Sequence, residues 1–222
     1  MLKSFIRTQQ TPTLKEIYNE CGRFYETPDG KKFPSVTTVL KDYNKEGIDK
    51  WIKRVGEVAA KKEGDYALDR GTKFHNLIES YLLTDKLDNI EEYPPMVKIM
   101  FQNLRPKLEL IDNIHLMETT LFSNTLKVAG RVDVIGEYDG KLSIIDFKTS
   151  KRSKKLEWIK SYFMQTSAYA FMYHEMTELL PKQIVILIAG EQDLSTQVFV
   201  DNPGNHIRDF KKEVDKFYKK ML

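Results

Sequence analysis

Asp133, Asp146 and Lys148 are the residues of this chain whose types and spacing can do chemistry together. Asp139-Gly140 lies between the apolar runs Val128 to Glu137 and Leu142 to Phe147, and such a dipeptide is a strong signal for a two-residue hairpin loop. Counting outward from that loop pairs Tyr138 with Lys141, Glu137 with Leu142, Ile135 with Ile144, and Asp133 with Asp146. Directly opposed side chains have Cβ atoms about 4.5–5.5 Å apart, and like charges there are destabilising. A bound divalent cation would offset the repulsion, and paired hard oxygen ligands suit Mg²⁺ or Mn²⁺. Lys148 follows Asp146 by two and so shares its strand face, with Arg131 opposite it in the same register. A salt-bridged, solvated face is the alternative reading, and a longer loop with a bulge would break the register. Leu142 and Ile144 on the same face favour a half-buried pair, and a buried carboxylate needs a partner.

Those residues need a scaffold, and the 222 residues supply enough chain for one domain, 1–222, with a core that stands without staples. The composition, 41% hydrophobic and 30% charged, is that of an ordinary globular chain. The net charge of +3 neither demands nor opposes a polyanionic partner. Residues 1–111 read as mainly helical. Thr13 to Glu20 is a short helix candidate with Thr11 or Thr13 as cap, and Phe24 to Phe33 is a hairpin around Pro28-Asp29-Gly30. Ser35 can cap Val36 to Tyr43. Ile48 to Lys62 and Tyr66 to Leu83 are helices separated by Gly64, and Pro94-Pro95 opens another that ends near Leu110. Residues 112–222 carry the catalytic sheet and its helices. Strands run over Ile114 to Leu121, Val128 to Glu137, Leu142 to Phe147, Gln183 to Ala189 and Thr196 to Val200. Helices span Leu156 to Leu180 and Arg208 to Met221. The order predicts a mixed α/β (α+β) fold with a central mixed sheet flanked by helices.

Asp133 followed by Asp146-Phe147-Lys148 resembles the core of the PD-(D/E)xK nucleases. Gly130-Arg131-Val132-Asp133 with Asp146-Phe147-Lys148-Thr149-Ser150 is similar to the RecB-type exonuclease branch of that superfamily. Gly71-Thr72-Lys73-Phe74-His75, Glu118, and Tyr162-Phe163-Met164-Gln165-Thr166-Ser167-Ala168-Tyr169 resemble further motifs of the branch, in the branch's order. Pro34-Ser35-Val36-Thr37-Thr38-Val39-Leu40 is similar to a segment of its mitochondrial genome-maintenance and phage members. The likeness covers roughly residues 33–173.

The resemblance implies a restriction-endonuclease-like core and a set of roles. Asp133 and Asp146 would be metal ligands, completed by the Phe147 carbonyl and the His75 imidazole. Lys148 would orient the attacking water or stabilise the phosphate in the transition state. Glu118 would hold a second metal or its water, and Gln165 and Tyr169 would face the site. On residue pattern alone, His75 and Glu79 are an ordinary surface pair of a helix, and Tyr162, Gln165, Tyr169 and Tyr173 an ordinary core stripe.

The basic run Lys151, Arg152, Lys154 and Lys155 directly follows the catalytic strand, where phosphate contacts are needed. Arg131, Ser35 and Thr37 complete the expected nucleic-acid contacts. Trp51 and Tyr66, by family geometry, would arch over a strand and stack on its bases. The single cysteine, Cys21, excludes the iron–sulfur cluster of some RecB relatives and any disulfide within the chain. No Gly-x-x-x-x-Gly-Lys-Ser/Thr motif occurs, so a helicase, like any recombination or replication partner, would be a separate protein. No apolar run is long enough for a bilayer, and residues 1–7 lack a secretion signal, which places the expectation inside a cell: in the cytoplasm, a phage host's included, ahead of the mitochondrial matrix. The expected activity is a metal-dependent DNA exonuclease on single-stranded ends, in replication, recombination or repair. A structure-selective endonuclease and an inactive nucleic-acid-binding module are the alternatives.

Overall fold

The computed structural model describes residues 3–6, 11–84 and 90–221. The reading of the N-terminal segment 1–7 therefore falls partly outside the described residues. Five strands form the main sheet: β4 (Ile111–Ser123), β5 (Val128–Tyr138), β6 (Lys141–Ser150), β7 (Gln183–Gly190) and β8 (Thr196–Asp201), in the spatial order of the chain. All pairs are antiparallel except β6 with β7, which are parallel and joined through helix α5 (Lys160–Thr177). Helices α3 (Glu57–Thr84) and α4 (Pro95–Leu108) cover one face. α5 and α6 (Ile207–Met221) cover the other.

The two cores follow from the period of β7. Ile184, Ile186 and Ile188 pack with Phe163, Met172 and Tyr173 of α5, whereas Val185, Leu187 and Ala189 pack with Phe74, Leu77 and Phe101 of α3 and α4. A strand apolar on both faces must lie between two layers, which is why this run is a near-continuous hydrophobic stretch. A buried ion pair ties α3 to the sheet: the Arg70 guanidinium donates to Glu191, just beyond β7, and the Tyr66 hydroxyl donates to the same carboxylate.

The N-terminal region is helical, as its sequence suggests, with one departure at its start. It opens with a three-stranded antiparallel sheet, β1 (Lys15–Asn19), β2 (Gly22–Glu26) and β3 (Lys32–Pro34). The expected helix over Thr13 to Glu20 is therefore a strand. Leu14 is pinned to β4 by a hydrogen bond from its N–H to Thr120 Oγ1 at 3.1 Å, and Ile17 pairs with Phe24, so tertiary pairing overrides local propensity. Ser35 caps the one-turn helix α1 (Val36–Val39), accepting from the Thr38 N–H at 3.0 Å. Helix α2 (Lys45–Val55) buries no residue and ends at Gly56, whose φ of 86° only glycine adopts without strain. Gly64, expected to break the helix, lies inside α3 instead. A helical glycine costs about 1 kcal/mol relative to alanine, which a helix with a long buried stripe absorbs.

Candidate active site

The β5–β6 hairpin has the register counted from Asp139-Gly140. Tyr138 faces Lys141, Ile135 faces Ile144, and both loop residues take positive φ, 51° and 72°. The pairing runs to Val134 and Ile145 and stops. Asp133 and Asp146 are therefore not a laddered pair, nor are Arg131 and Lys148. One Asp133 carboxylate oxygen has taken the place of a backbone acceptor: Oδ2 receives the Phe147 N–H at 2.8 Å. The ladder thus ends where the two carboxylates would oppose each other, and the Asp133 charge still acts to raise the Asp146 pKa.

Asp146 is 1% exposed. Its Oδ2 faces Lys148 Nζ at 2.5 Å, and its Oδ1 accepts from Gln165 Nε2 of α5 at 3.1 Å. Lys148 also lies 5.3 Å from the centre of the Tyr162 ring. Burial pushes the Asp146 carboxyl up, to about 6, against the pull of Lys148. For Lys148, burial favours the neutral amine, but Asp146 and Asp133 outweigh it and hold the ammonium above its ordinary value.

His75 enters from α3. Its Nε2 lies 2.8 Å from the Phe147 carbonyl oxygen, which can only accept, so Nε2 carries the proton. Nδ1 then faces the carboxylates, 3.6 Å from Asp133 Oδ2 and 3.9 Å from Glu118 Oε1. Burial alone would lower the imidazole's pKa, but the Asp133 charge and the Glu118 hydrogen bond raise it. Glu118 sits in β4 with φ at 46°, uncommon for a residue other than glycine. Its other oxygen is 3.2 Å from Arg131 Nε. The neighbouring Glu79 carboxyl is held up by burial and by the Glu118 charge.

One atom each of His75, Glu118 and Asp133 lie within 4.8 Å of one another. Two carboxylates and an imidazole are a donor set for a divalent cation, and a neutral histidine fixed by a hydrogen bond at its far nitrogen is the usual form of such a ligand. These residues fit a metal. Asp146 lies beside these three and is engaged by Lys148 and Gln165. The Phe147 carbonyl, expected as a ligand, lies at the same place and accepts from His75 Nε2.

A cavity of about 460 Å³ holds His75, Glu79, Glu118, Arg131, Asp133, Gln165, Tyr169 and Thr37. Tyr169 is buried against Gly130: a Cβ there would lie 2.8 Å from Tyr169 Cε1. A second cavity, about 750 Å³, also touches Ala67 and is lined by Trp51, Tyr66, Lys151 and Lys154. Of the expected nucleic-acid contacts, Thr37 and Arg131 line the first cavity and Lys151 and Lys154 the second. Lys151 is engaged by Glu63 at 2.8 Å. Arg152 donates to Gln192, and Lys155 lies over Trp158, outside both cavities. Ser35, expected as a contact, is fully buried, and its hydroxyl is taken up by Thr38 within the α1 cap. Arg23 of β2 also lines the first cavity. No sequence feature marked it, because the hairpin that carries it reaches the site only through tertiary packing.

A register shift between Asp112 and Leu116, with Asn113 at φ 44°, sends Ile114 to the α3 and α4 side and Leu116 to the α5 side. No helix among the described residues is long and apolar enough to cross a membrane.

Human mitochondrial genome maintenance exonuclease 1 is 26% identical over 172 residues, 72% of this chain and 49% of that protein. The mouse protein is 30% identical over 132 residues, 55% of this chain and 38% of that protein. The chain thus spans half or less of the length of these curated relatives. The crystal structure of SSO0001 superposes with a TM-score of 0.45 at 14% identity, covering 83% of this chain and 74% of that one. The family model of the PD-(D/E)XK nuclease superfamily matches residues 95–222, more than half of the chain. The chain belongs to the PD-(D/E)XK nuclease superfamily.

Proposed function

We propose that residues 1–222 act as one nuclease domain, a metal-dependent deoxyribonuclease that degrades single-stranded DNA from its ends, in genome replication, recombination or repair. The observation that carries this reading is the convergence of His75, Glu118 and Asp133 beside the Asp146–Lys148 pair. The exonuclease activity named for the two mammalian relatives supports the choice of DNA ends. A divalent cation, Mg²⁺ or Mn²⁺, would be held by His75, Glu118 and Asp133, with Asp146 alongside, and would supply Lewis acidity to the phosphate and a water of lowered pKa.

The chain's own groups do the rest. Phe147 holds His75 with Nδ1 turned to the carboxylates, and the Phe147 N–H fixes Asp133. Lys148, kept charged by Asp146, places an ammonium where negative charge grows on the phosphoryl oxygens. Gln165 fixes the rotamer of Asp146, so Lys148 is held from its far side. The basic lining at Lys151 and Lys154, with Trp51 and Tyr66, gives a single strand both phosphate contacts and stacking surfaces.

The test is digestion of end-labelled linear and circular single-stranded DNA by the wild type, by Asp146→Asn and by Lys148→Ala, with Mg²⁺ and with EDTA. Degradation of the linear form alone, abolished by EDTA and by both substitutions in folded protein, is expected. Cutting of the circle would replace the exonuclease with an endonuclease on the same core. Binding without cleavage in Mg²⁺ and Mn²⁺ would leave a nucleic-acid-binding module.

A further inference from the structure

We propose that Arg23, together with Thr37 and Arg131, forms a phosphate subsite beside the carboxylate cluster, which grips a phosphodiester of the bound strand adjacent to the one being cut. The proposal deepens the nuclease reading and rests on it.

Arg23 lies on β2, yet its side chain lines the cavity that holds His75, Glu118 and Asp133. A guanidinium has five donors. The polar partners of this one are distant: Thr37 Oγ1 at 3.4 Å and a Glu16 oxygen at 3.9 Å. The group lies 5.4 Å from the centre of the Tyr25 ring, so it is held in place while its hydrogen-bonding capacity is largely unspent. A half-buried guanidinium in that state suits a phosphate, which accepts two parallel N–H bonds. Arg131 gives Nε to Glu118 and leaves the rest of its half-exposed guanidinium at the same cavity. Both cations act on the Tyr25 hydroxyl: burial pushes it up to about 12, and Arg23 and Arg131 pull against that shift. The cavity therefore has two chemical ends. Glu79, Glu118 and Asp133 attract cations and repel a polyanion, and the two guanidiniums counter that repulsion where the strand must pass.

The Arg23 side chain is separable from the fold. Its backbone secures β2 to α1: the N–H donates to Thr38 Oγ1 at 3.0 Å, and the carbonyl accepts from the Ser35 N–H at 2.8 Å. Replacing the side chain leaves both bonds in place.

The experiment measures binding of a 5′-fluorescein oligothymidylate in EDTA across a salt series, with steady-state cleavage in Mg²⁺ alongside. Arg23→Gln is expected to weaken binding about tenfold or more, the worth of a charge-assisted hydrogen bond. It should lower the slope of log affinity against log salt by about 0.7, the loss of one single-strand phosphate contact. Arg23→Lys should recover the slope, and KM should rise in Arg23→Gln with little change in kcat. Glu16→Gln removes the competing carboxylate and should bind as well as the wild type or better. An Arg23→Gln protein with wild-type affinity and slope overturns the subsite. So does a Glu16→Gln protein that weakens as much, because that pattern marks a structural role for the pair. A wild type that neither binds nor cleaves DNA overturns the nuclease reading itself. A wild type that binds and cleaves while Arg23→Gln matches it overturns the subsite alone.

Discussion

Gly130→Ala isolates a packing constraint that reaches the site without touching any charged group. Gly130 lies in β5 opposite Leu121, and the Tyr169 ring rests directly on it. An added Cβ would meet Tyr169 Cε1 at 2.8 Å and the hydroxyl oxygen at 3.0 Å. Ordinary contact begins near 3.4 Å, so the ring must retreat by about 0.6 Å. Tyr169 is 2% exposed and has nowhere open to go. Overpacking of this kind costs about 1–3 kcal/mol. In a chain of this size each kcal/mol lowers the melting temperature by about 2–4 °C, so a loss of roughly 2–12 °C is expected. Gln165 sits one turn before Tyr169 on α5, so displacement of the helix also loosens its hydrogen bond to Asp146, and cleavage should fall with stability. Thermal melts of Gly130→Ala in the wild-type and Tyr169→Leu backgrounds form the assay. Leucine lacks the ring atoms that clash, so most of the penalty should vanish there. An equal loss in both backgrounds, or none in either, would refute the argument.

Asp146 predicts a pH dependence in the metal-free protein. Its folded pKa is raised from 3.8 to about 6, so the native state binds more protons than the unfolded one between those values. The contribution favours folding at low pH and is lost as pH rises through about 4 to 6. Relative to the wild type, Asp146→Asn should therefore gain up to about 3 kcal/mol between pH 4 and 7. Urea melts in EDTA at the two pH values measure it, and a pH-independent difference counts against a strained carboxyl. Arg70→Met strands Glu191 at the α3 anchor and should cost about 3–5 kcal/mol, with some of it regained in Arg70→Met/Glu191→Leu. A loss below about 1 kcal/mol in denaturant titration would show that the buried pair is energetically idle.

The hairpin register is legible from Asp139-Gly140 because loop chemistry fixes the pairing locally, and it holds from Tyr138 and Lys141 to Val134 and Ile145. Beyond that point a side chain replaces a backbone acceptor, and no periodicity announces such an exchange. Asp146, Lys148 and Gln165 meet as expected, because strand alternation and helical spacing both survive there. The strand Lys15–Asn19, inside the stretch that reads as a helix, is not legible, because Leu14 just before it is held by Thr120 in a distant strand. Ser35 reads as a ligand contact but is a buried cap, since one hydroxyl suits either task and only burial separates them. Arg23 offers no signal at all: its neighbours in sequence are those of any short hairpin. Phe147 and His75 both belong at the site on sequence grounds, but the hydrogen bond between them depends on a carbonyl direction that residue types do not encode.

The single parallel pair in the sheet bears on how the site is assembled. β4, β5 and β6 are joined by short loops and can pair as the chain collapses, whereas β6 and β7 cannot meet until α5 has formed and crossed the sheet. Non-local pairing comes late, because the entropy of closing the intervening chain is lost before any contact rewards it. Asp146 lies on the strand that waits for this crossover, and Gln165 and Tyr169 lie on the crossing helix. The contact of Asp146 with Gln165 exists only once α5 has docked. The electrostatic cost of burying Asp146 is thus tied to the same docking step that packs Phe163, Met172 and Tyr173 against β7, so one event both creates the strain and supplies the apolar contacts that offset it.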